Sequence, residues 1–215
     1  MFKIDLHIHT RLGGDSLIHP DEVVERARAV GLDGVCVTEH HAYDLSEPFE
    51  EISRTTKFPI FRAMEYRADN GHLLVYGVQA SRGNFPPGLP IQKAVDWVQK
   101  NSGVAVPAHP YQQSLAGQYL GDDILKINGL YALEVLNGSV SAADNRRAEK
   151  AASRLKISGV GGSDAHGLHV LGKAYTCFPA PVTSMNELTT ALKTGNYFPV
   201  WNQYYDGPKE TVRQF

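Results

Sequence analysis

The chain has 215 residues, of which 42% are hydrophobic and 20% are charged, and its formal net charge is -2. These proportions are ordinary for a globular protein with one full core, and the balanced charge argues against broad, non-specific binding to duplex nucleic acid, which needs a basic face. Because no run approaches the roughly 18 apolar residues of a membrane span and the first residues have no leader pattern, we expect a cytoplasmic protein without membrane contact.

Short apolar runs alternate with helical patterns along the chain. We predict strands at residues 2–6, 34–38, 58–64, 73–78, 103–108, 132–136 and 158–161. We predict helices at residues 21–30 and 91–100, after Pro20 and Pro90, and at residues 142–155 and 185–193, which Ser141 and Ser184 can cap. Strands that alternate with helices favour parallel βαβ units, and therefore an α/β fold. We expect one domain, residues 1–203, followed by a polar C-terminal tail, residues 204–215.

Histidines and acids collect at the ends of the predicted strands. His7 and His9 are two residues apart at the end of the first strand, so both side chains point to the same side. Asp164 and His166 repeat this spacing after the last predicted strand. Other strands end or begin near Glu39, His40, Glu65, His72 and His109. Since the carboxyl ends of parallel strands converge on one face, and imidazole with carboxylate suits zinc, manganese or iron, the pattern predicts a cluster of two or three divalent ions.

These motifs resemble those of the PHP (polymerase and histidinol phosphatase) family of metal-dependent phosphoesterases. The matching segments are Asp5-Leu6-His7-Ile8-His9-Thr10, Gly31-Leu32-Asp33-Gly34, Thr38-Glu39-His40, Glu65, His72, Ala108-His109-Pro110 and Gly162-Ser163-Asp164-Ala165-His166. The resemblance implies a distorted (β/α)7 barrel with a trinuclear metal site at the carboxyl ends of its strands. The chain differs at Glu39, where the family usually has Asp, and we expect this side chain to orient the ligands rather than to bind metal.

Carried over to this chain, the resemblance implies three groups of metal ligands. The first ion would be held by His7, His9, Glu65 and Asp164. The second would be held by Glu65, His72 and His109, with Glu65 bridging the two ions. A third, more exposed ion would be held by Asp15, His40 and His166.

We therefore expect a metal-dependent phosphoesterase that hydrolyses a small phosphate monoester or a nucleotide with a metal-activated hydroxide. Asp164 and His166 are the candidates for proton transfer, and the candidates for binding phosphate are Arg11, Arg62, Arg67 and Lys173. Three alternatives remain open at this point: an amide or lactone hydrolase with the same ions, an exonuclease that acts on short oligonucleotides, and a barrel without enzymatic activity that serves as an interaction module.

The roles of several further residues stay open in the sequence. Glu134 and Asn137 lie at another strand end, where they could line the pocket or serve as solvated or capping residues. Tyr111 and Tyr119 could stack on a base or pack within their loop. We expect His19, His41 and His169 to be surface or satisfied core residues.

Overall fold

Strands and helices alternate along residues 1–113 and 119–203, which are the residues that this computed structural model describes. The strands are β1 (Phe2–Ile8), β2 (Gly34–Val37), β3 (Ile60–Arg62), β4 (Met64–Arg67), β5 (His72–Tyr76), β6 (Val104–Ala108), β7 (Ala132–Asn137), β8 (Ser158–Gly162), β9 (Ala174–Phe178) and β10 (Phe198–Trp201). The helices are α1 (Pro20–Ala29), α2 (Pro48–Thr56), α3 (Ile91–Lys100), α4 (Ala142–Leu155) and α5 (Met185–Thr194), with 3-10 helices at Tyr43–Ser46 and Gly121–Lys126. The predicted tail, residues 204–215, lies outside the described residues.

Local capping signals fix where the predicted helices begin. At α4 the Ser141 hydroxyl accepts the Asp144 backbone N–H, and at α5 Ser184 and Glu187 form a reciprocal capping box. At α1 the cap is His19, whose ring accepts the Asp21 N–H in front of Pro20. The predicted caps Ser141 and Ser184 are therefore confirmed, and His19 has a structural role at the surface.

The strands form three hydrogen-bonded sheets. Their strand orders are β10-β9-β1-β2-β3, β4-β5-β6 and β7-β8. The pairs β1/β2, β2/β3 and β7/β8 are parallel, as predicted, but β1/β9, β9/β10, β4/β5 and β5/β6 are antiparallel. A parallel pair needs a crossover of about a dozen residues, and the chain that joins β4 to β5 is too short for one.

The sheets lie side by side without joining into one ladder. β6 lies beside β7, and β8 lies beside β1, β9 and β10. Among the described residues, no named strand of one sheet pairs with a named strand of another. The architecture is a mixed α/β fold, and the closed (β/α)7 barrel that the resemblance implies is not confirmed.

Several elements differ from the sequence prediction, and among them β9 and β10 were not predicted. The strand predicted at residues 58–64 is divided at Ala63, because β3 continues the sheet of β2 whereas β4 turns away to pair with β5. Helix α2 was not predicted, because its apolar stripe is short: Phe49 is buried and Ile52 packs partly buried against the same core cluster. It carries other helix signals, namely Pro48 in the first turn with Glu50 and Glu51 behind it.

The core surrounds β1, which is buried on both faces. Ile4 and Leu6 are fully buried in an apolar cluster with Phe61, Leu74 and Val106. Alternate residues of β1 point the other way and carry polar side chains to a second buried region, which is described below. None of the described helices combines the length and apolar character that crossing a bilayer requires.

Candidate metal centre

The polar face of β1 carries the first part of the centre. His7 and His9 are fully buried, and their Nε2 atoms lie 3.0 Å apart. Asp5 lies on the same face, where its carboxylate accepts the backbone N–H groups of Ser163 at 2.8 Å and Gly172 at 2.9 Å. Burial, only partly offset by these hydrogen bonds, raises the pKa of Asp5 to about 6. Asp5 thus ties the segment that follows β8 to β1.

The segment after β8 brings Asp164 to the two histidines. The Asp164 N–H donates to the His7 carbonyl at 2.7 Å, and the His9 N–H donates to the Ala165 carbonyl at 3.0 Å. Oδ1 of Asp164 lies 3.4 Å from Nε2 of both His7 and His9. The positive φ of Asp164, 53°, turns the chain at this point. The two period-two pairs that the sequence suggests therefore meet across β1 and β8.

Glu65 in β4 is the carboxylate on which most of the imidazoles converge. Its side chain is 1% exposed. Oε1 lies 2.7 Å from Nδ1 of His72 and 2.9 Å from Nε2 of His109. Oε2 lies 3.2 Å from both His9 and His40 and 3.4 Å from His7. Burial alone would raise the pKa of Glu65, but His7 and the hydrogen-bonded histidines hold it well below 4.5.

The pairing of β5 with β6 explains why His72 reaches this cluster. His72 is the first residue of β5, and its antiparallel partner is Ala108, the last residue of β6. The amino end of β5 therefore lies at the carboxyl end of β6, next to His109. The ring centroids of His72 and His109 are 5.3 Å apart, edge to face.

A more exposed group lies at the outer edge of the centre. Nε2 of His40 is 2.9 Å and Nε2 of His166 is 3.7 Å from the carboxylate of Asp15. Asp15 is 41% and His166 is 40% exposed, in contrast to His7 and His9. The turn that carries Asp15 is held by Thr10, whose hydroxyl and N–H both donate to the buried carboxylate of Glu39. Glu39 thus contacts the ligand turn rather than the ligand cluster.

Glu134 in β7 holds the back of the centre, a role that the sequence left open. It is 1% exposed, and its carboxylate lies 3.0 Å from Nδ1 of His7. It also accepts the His109 backbone N–H at 2.7 Å and the Asn137 amide at 3.0 Å. A proton on Nδ1 of His7 leaves its Nε2 lone pair directed at the cluster. Asn137 also donates to Asp164 at 3.3 Å, so it spans both carboxylates.

The donor set suits divalent ions. Among the described residues, four groups have donor atoms within 4.8 Å of one another: His9/Asp15/His40/His166, His7/His109/Asp164, His7/His9/Glu65 and Glu65/His72/His109. Every predicted ligand falls in at least one of them. Nδ1 of His9 is buried and has no hydrogen-bond partner within the described part of the chain, which a cation would remedy. Asp164, Glu65 and these imidazoles thus form a set of candidate cation ligands, and Glu134 lies behind them.

The charges of the cluster shift its imidazoles in both directions. Burial lowers the pKa of His7 and His9, but the carboxylates of Asp164 and Glu65, joined at His7 by Glu134, outweigh it. The pKa of His9 is raised to about 9, and that of His7 is raised well above 6.5. At the edge, burial prevails and lowers the pKa of His40 to about 4.

The four predicted phosphate-binding residues differ in their partners and in their exposure. The Arg62 guanidinium pairs with Glu50, bonds to Ser46 and Tyr43, and lies over the Tyr43 ring. It therefore holds α2 and the neighbouring 3-10 helix together instead of facing the cluster. The residues around Arg62 in the sequence do not indicate these partners, which belong to other elements. The Lys173 ammonium lies 5.1 Å from the centre of the Trp201 ring. Arg11 and Arg67 are exposed.

Tyr111 and Tyr119, which the sequence offered for stacking on a base, differ in exposure. Tyr111 is 5% exposed and donates to Asp122 at 2.8 Å, with Arg147 over its ring. It is therefore part of the loop packing and has no free face on which a base could stack. Tyr119 is 41% exposed.

Two family models match the chain. The PHP domain model matches residues 5–102, and the PHP-associated model, PHP_C, matches residues 142–197. A curated relative is an uncharacterized protein of Methanocaldococcus jannaschii, which is 25% identical over 145 residues, 63% of this chain and 81% of the relative. The matched ranges contain the elements that carry Glu65 and Asp164, although His109 and Glu134 lie between the two models.

Solved structures share the fold at low identity. One is a two-domain protein of Bacteroides vulgatus described as containing a predicted PHP-like metal-dependent phosphoesterase, with a TM-score of 0.74 and 18% identity over 94% of this chain. This chain spans 65% of that protein's length. Another is a lesion-specific endonuclease of Pyrococcus furiosus, with a TM-score of 0.62 and 18% identity over 92% of this chain and 57% of that one.

Proposed function

Because this chain belongs to the PHP family, a family of metal-dependent phosphoesterases, we propose that it hydrolyses a phosphate monoester or a nucleotide with the help of two or three divalent ions. The same membership supports two further proposals. The three sheets together correspond to a distorted (β/α)7 barrel, and residues 1–203 form one catalytic domain. Zinc, manganese and iron all suit the donors.

The observation that carries the proposal is the position of Glu65. Its two carboxylate oxygens face different histidines, His72 and His109 on one side and His9 and His40 on the other. A carboxylate with a separate set of nitrogen donors at each oxygen is suited to bridging two ions. Asp15, His40 and His166 would hold a further ion at the exposed edge.

The chain's own residues would orient the site and handle the proton. When bound, divalent ions neutralise phosphate oxygens and acidify a water so that it attacks as hydroxide. Glu134 fixes the tautomer of His7, and Asn137 fixes the carboxylate of Asp164. His166 donates from Nδ1 to the Asp164 carbonyl at 3.1 Å and presents its Nε2 at the exposed edge. We assign proton transfer to Asp164 and His166; His166 would serve in a two-ion form, in which no third ion occupies its Nε2 at the exposed edge.

The test is a comparison of ester and amide substrates on one preparation. Purified protein is loaded with Mn²⁺, Zn²⁺ or Fe²⁺ and offered a phosphate monoester, a phosphate diester, a short oligonucleotide and an amide. We expect release of phosphate from the monoester that stops when a chelator removes the ions. His72→Ala should lower the rate of hydrolysis at least about tenfold. The substitution removes one of the two imidazoles at Oε1 of Glu65 and leaves only His109 there.

A matched control is His169→Ala, since His169 is exposed and belongs to none of the four donor groups. Hydrolysis of the amide alone would favour the alternative function, an amide hydrolase that uses the same ions. Cleavage of the oligonucleotide alone would favour the exonuclease alternative. Metal binding without hydrolysis of any substrate would contradict the proposal.

A further inference from the structure

Strand β7 contains a bulge that directs two of its side chains at the candidate metal centre. Glu134 is paired with Val160 and Leu136 with Gly161, so β7 has one residue more than β8 between these two pairs. In a regular strand, residues three positions apart point to opposite faces. The bulge cancels this alternation, and Glu134 and Asn137 therefore share a face, where the Asn137 amide donates to the Glu134 carboxylate at 3.0 Å.

Asn145 of α4 secures the end of this bulged strand. Its side-chain oxygen accepts the backbone N–H of Asn137, and its amide donates to the Asn137 carbonyl, both at 2.9 Å. Asn145 is buried. A bulge disrupts the strand ladder locally, and buried backbone groups need hydrogen-bond partners. One side chain thus bonds to both backbone polar groups of Asn137, and it comes from a helix that contributes no member to the four described donor groups.

The side chain of Asn137 is fixed in turn. Its oxygen accepts the Ser139 N–H at 2.8 Å, so its NH₂ group faces the centre. That group donates to Oε2 of Glu134 at 3.0 Å and to Oδ2 of Asp164 at 3.3 Å. Oδ1 of Asp164 remains directed at two buried imidazoles, whose Nε2 atoms are 3.4 Å away.

We propose that Asn145 is a positioning residue of the metal centre, which acts through Asn137 and determines which oxygen of Asp164 is presented to an ion. The inference deepens the proposed function and rests on it, because Asp164 is one of the ligands that hold the ions there. Residues that orient a ligating carboxylate affect metal affinity although they do not touch the metal. Asn145 extends this orienting set by one step, to helix α4.

The position of Asn145 allows its side chain to be shortened without sealing a void in the core. Asn145 borders a cleft of about 390 Å³ between α4 and β10, together with the exposed Arg146 and Glu149 and the partly buried Trp201. The space left by the amide would open into this cleft. We therefore expect Asn145→Ala to fold.

The experiment measures the affinity for Co²⁺ and the visible absorption of the bound Co²⁺, which reports on the geometry of its ligands. The proteins are the wild type, Asn145→Ala, Asn137→Ala and the double variant. Asn145→Ala should weaken Co²⁺ binding about tenfold and shift the absorption bands, because Asp164 would no longer be held in one orientation. The double variant should bind no more weakly than Asn137→Ala alone, since Asn145 acts through Asn137.

Two further variants separate positioning from a general loss of structure. Asn145→Asp keeps the acceptor for the Asn137 N–H and loses the amide donor, so its affinity should lie between those of the wild type and Asn145→Ala. Asn186→Ala is the matched control, because Asn186 is exposed on α5, and it should match the wild type in affinity and spectrum. Circular dichroism establishes that each variant is folded. Should Asn145→Ala fail to fold, Asn145→Asp carries the comparison, with the same expected direction.

Two results would overturn the positioning role while leaving the proposed function intact. One is wild-type affinity and a wild-type spectrum in both Asn145 variants, and the other is an additive loss of affinity in the double variant. A wild type that binds Co²⁺ with the expected dependence on Asn145, but hydrolyses no phosphate ester, would support the positioning role and contradict the proposed function. A wild type that binds no Co²⁺ would contradict both.

Discussion

The carboxylate of Glu134 accepts hydrogen bonds from the His7 ring, the His109 backbone and the Asn137 amide. None of these contacts would be made to an ion directly. They fix the direction in which His7 and His109 present their nitrogens, and residues that orient ligands in this way affect metal affinity nearly as strongly as the ligands do. Glu134 is therefore as much part of the centre as the donors in front of it.

Glu134→Gln should weaken metal binding by about 10–100-fold without unfolding the protein. The amide offers one acceptor oxygen where the carboxylate offers two, so at least one of the three donors would face an NH₂ group. Metal affinity is measured by competition with a chelator. Glu149→Gln is the control, because Glu149 is exposed on α4, and an unchanged affinity in Glu134→Gln would show that the His7 tautomer is not set by this carboxylate.

Single residues differ in how well their positions in the site can be predicted from the sequence. The alternation of His7 with His9 is local to one strand, so their common side could be predicted. The partner of His7 at its Nδ1 atom is 127 positions away, and no local pattern indicates that Glu134 lies behind it. The same reason explains why the prediction of phosphate binding at Arg62 could not foresee its partners Glu50 and Ser46, which belong to other elements.

At the scale of elements, the contact between β1 and the end of β8 decides whether the two ligand pairs meet. Gly162 ends β8 directly against His7. A Cβ at position 162 would lie 2.5 Å from the His7 Cβ and 2.8 Å from the His7 backbone nitrogen. Backbone atoms cannot yield as a flexible side chain can, so only glycine fits between the strands.

Gly162→Ala should destabilise the fold by about 1–3 kcal/mol and should weaken metal binding, because β8 and Asp164 would be pushed away from β1. Chemical denaturation gives the free energy of unfolding. Gly83→Ala serves for comparison, since a Cβ there meets only the Ser81 hydroxyl, at 3.7 Å, and should change stability by less than about 0.5 kcal/mol. Equal stability of the two variants would mean that the β1–β8 contact is not tight.

The elements themselves were predictable where their signals are local. α1, α3, α4 and α5 were predicted because proline, serine caps and apolar spacing lie within each helix. The direction of strand pairing is not local, and the antiparallel pairs of β5 were missed for that reason, whereas β9 was not predicted as a strand at all. This mattered for the site, since the reversal of β5 is what brings His72 next to His109.

For the molecule as a whole, the donors run from a buried floor to an exposed edge. His7, His9 and Glu65 are 0–1% exposed, and they come from β1, the residue that follows it and β4, two strands of different sheets. Asp15 and His166 are the most exposed donors among the described residues. A substrate would enter over this edge, with its scissile phosphate toward Glu65.

The measurement that tests the account most directly is the metal content of the purified, metal-reconstituted chain by elemental analysis, in the wild type and in Glu65→Gln. The account predicts two or three ions per wild-type chain and at least one ion fewer in Glu65→Gln, because the variant lacks the carboxylate that faces both sets of histidines. Circular dichroism would confirm that the variant is folded, and Glu149→Gln should keep the full content. A wild-type chain that retains no ion after reconstitution would contradict the central claim.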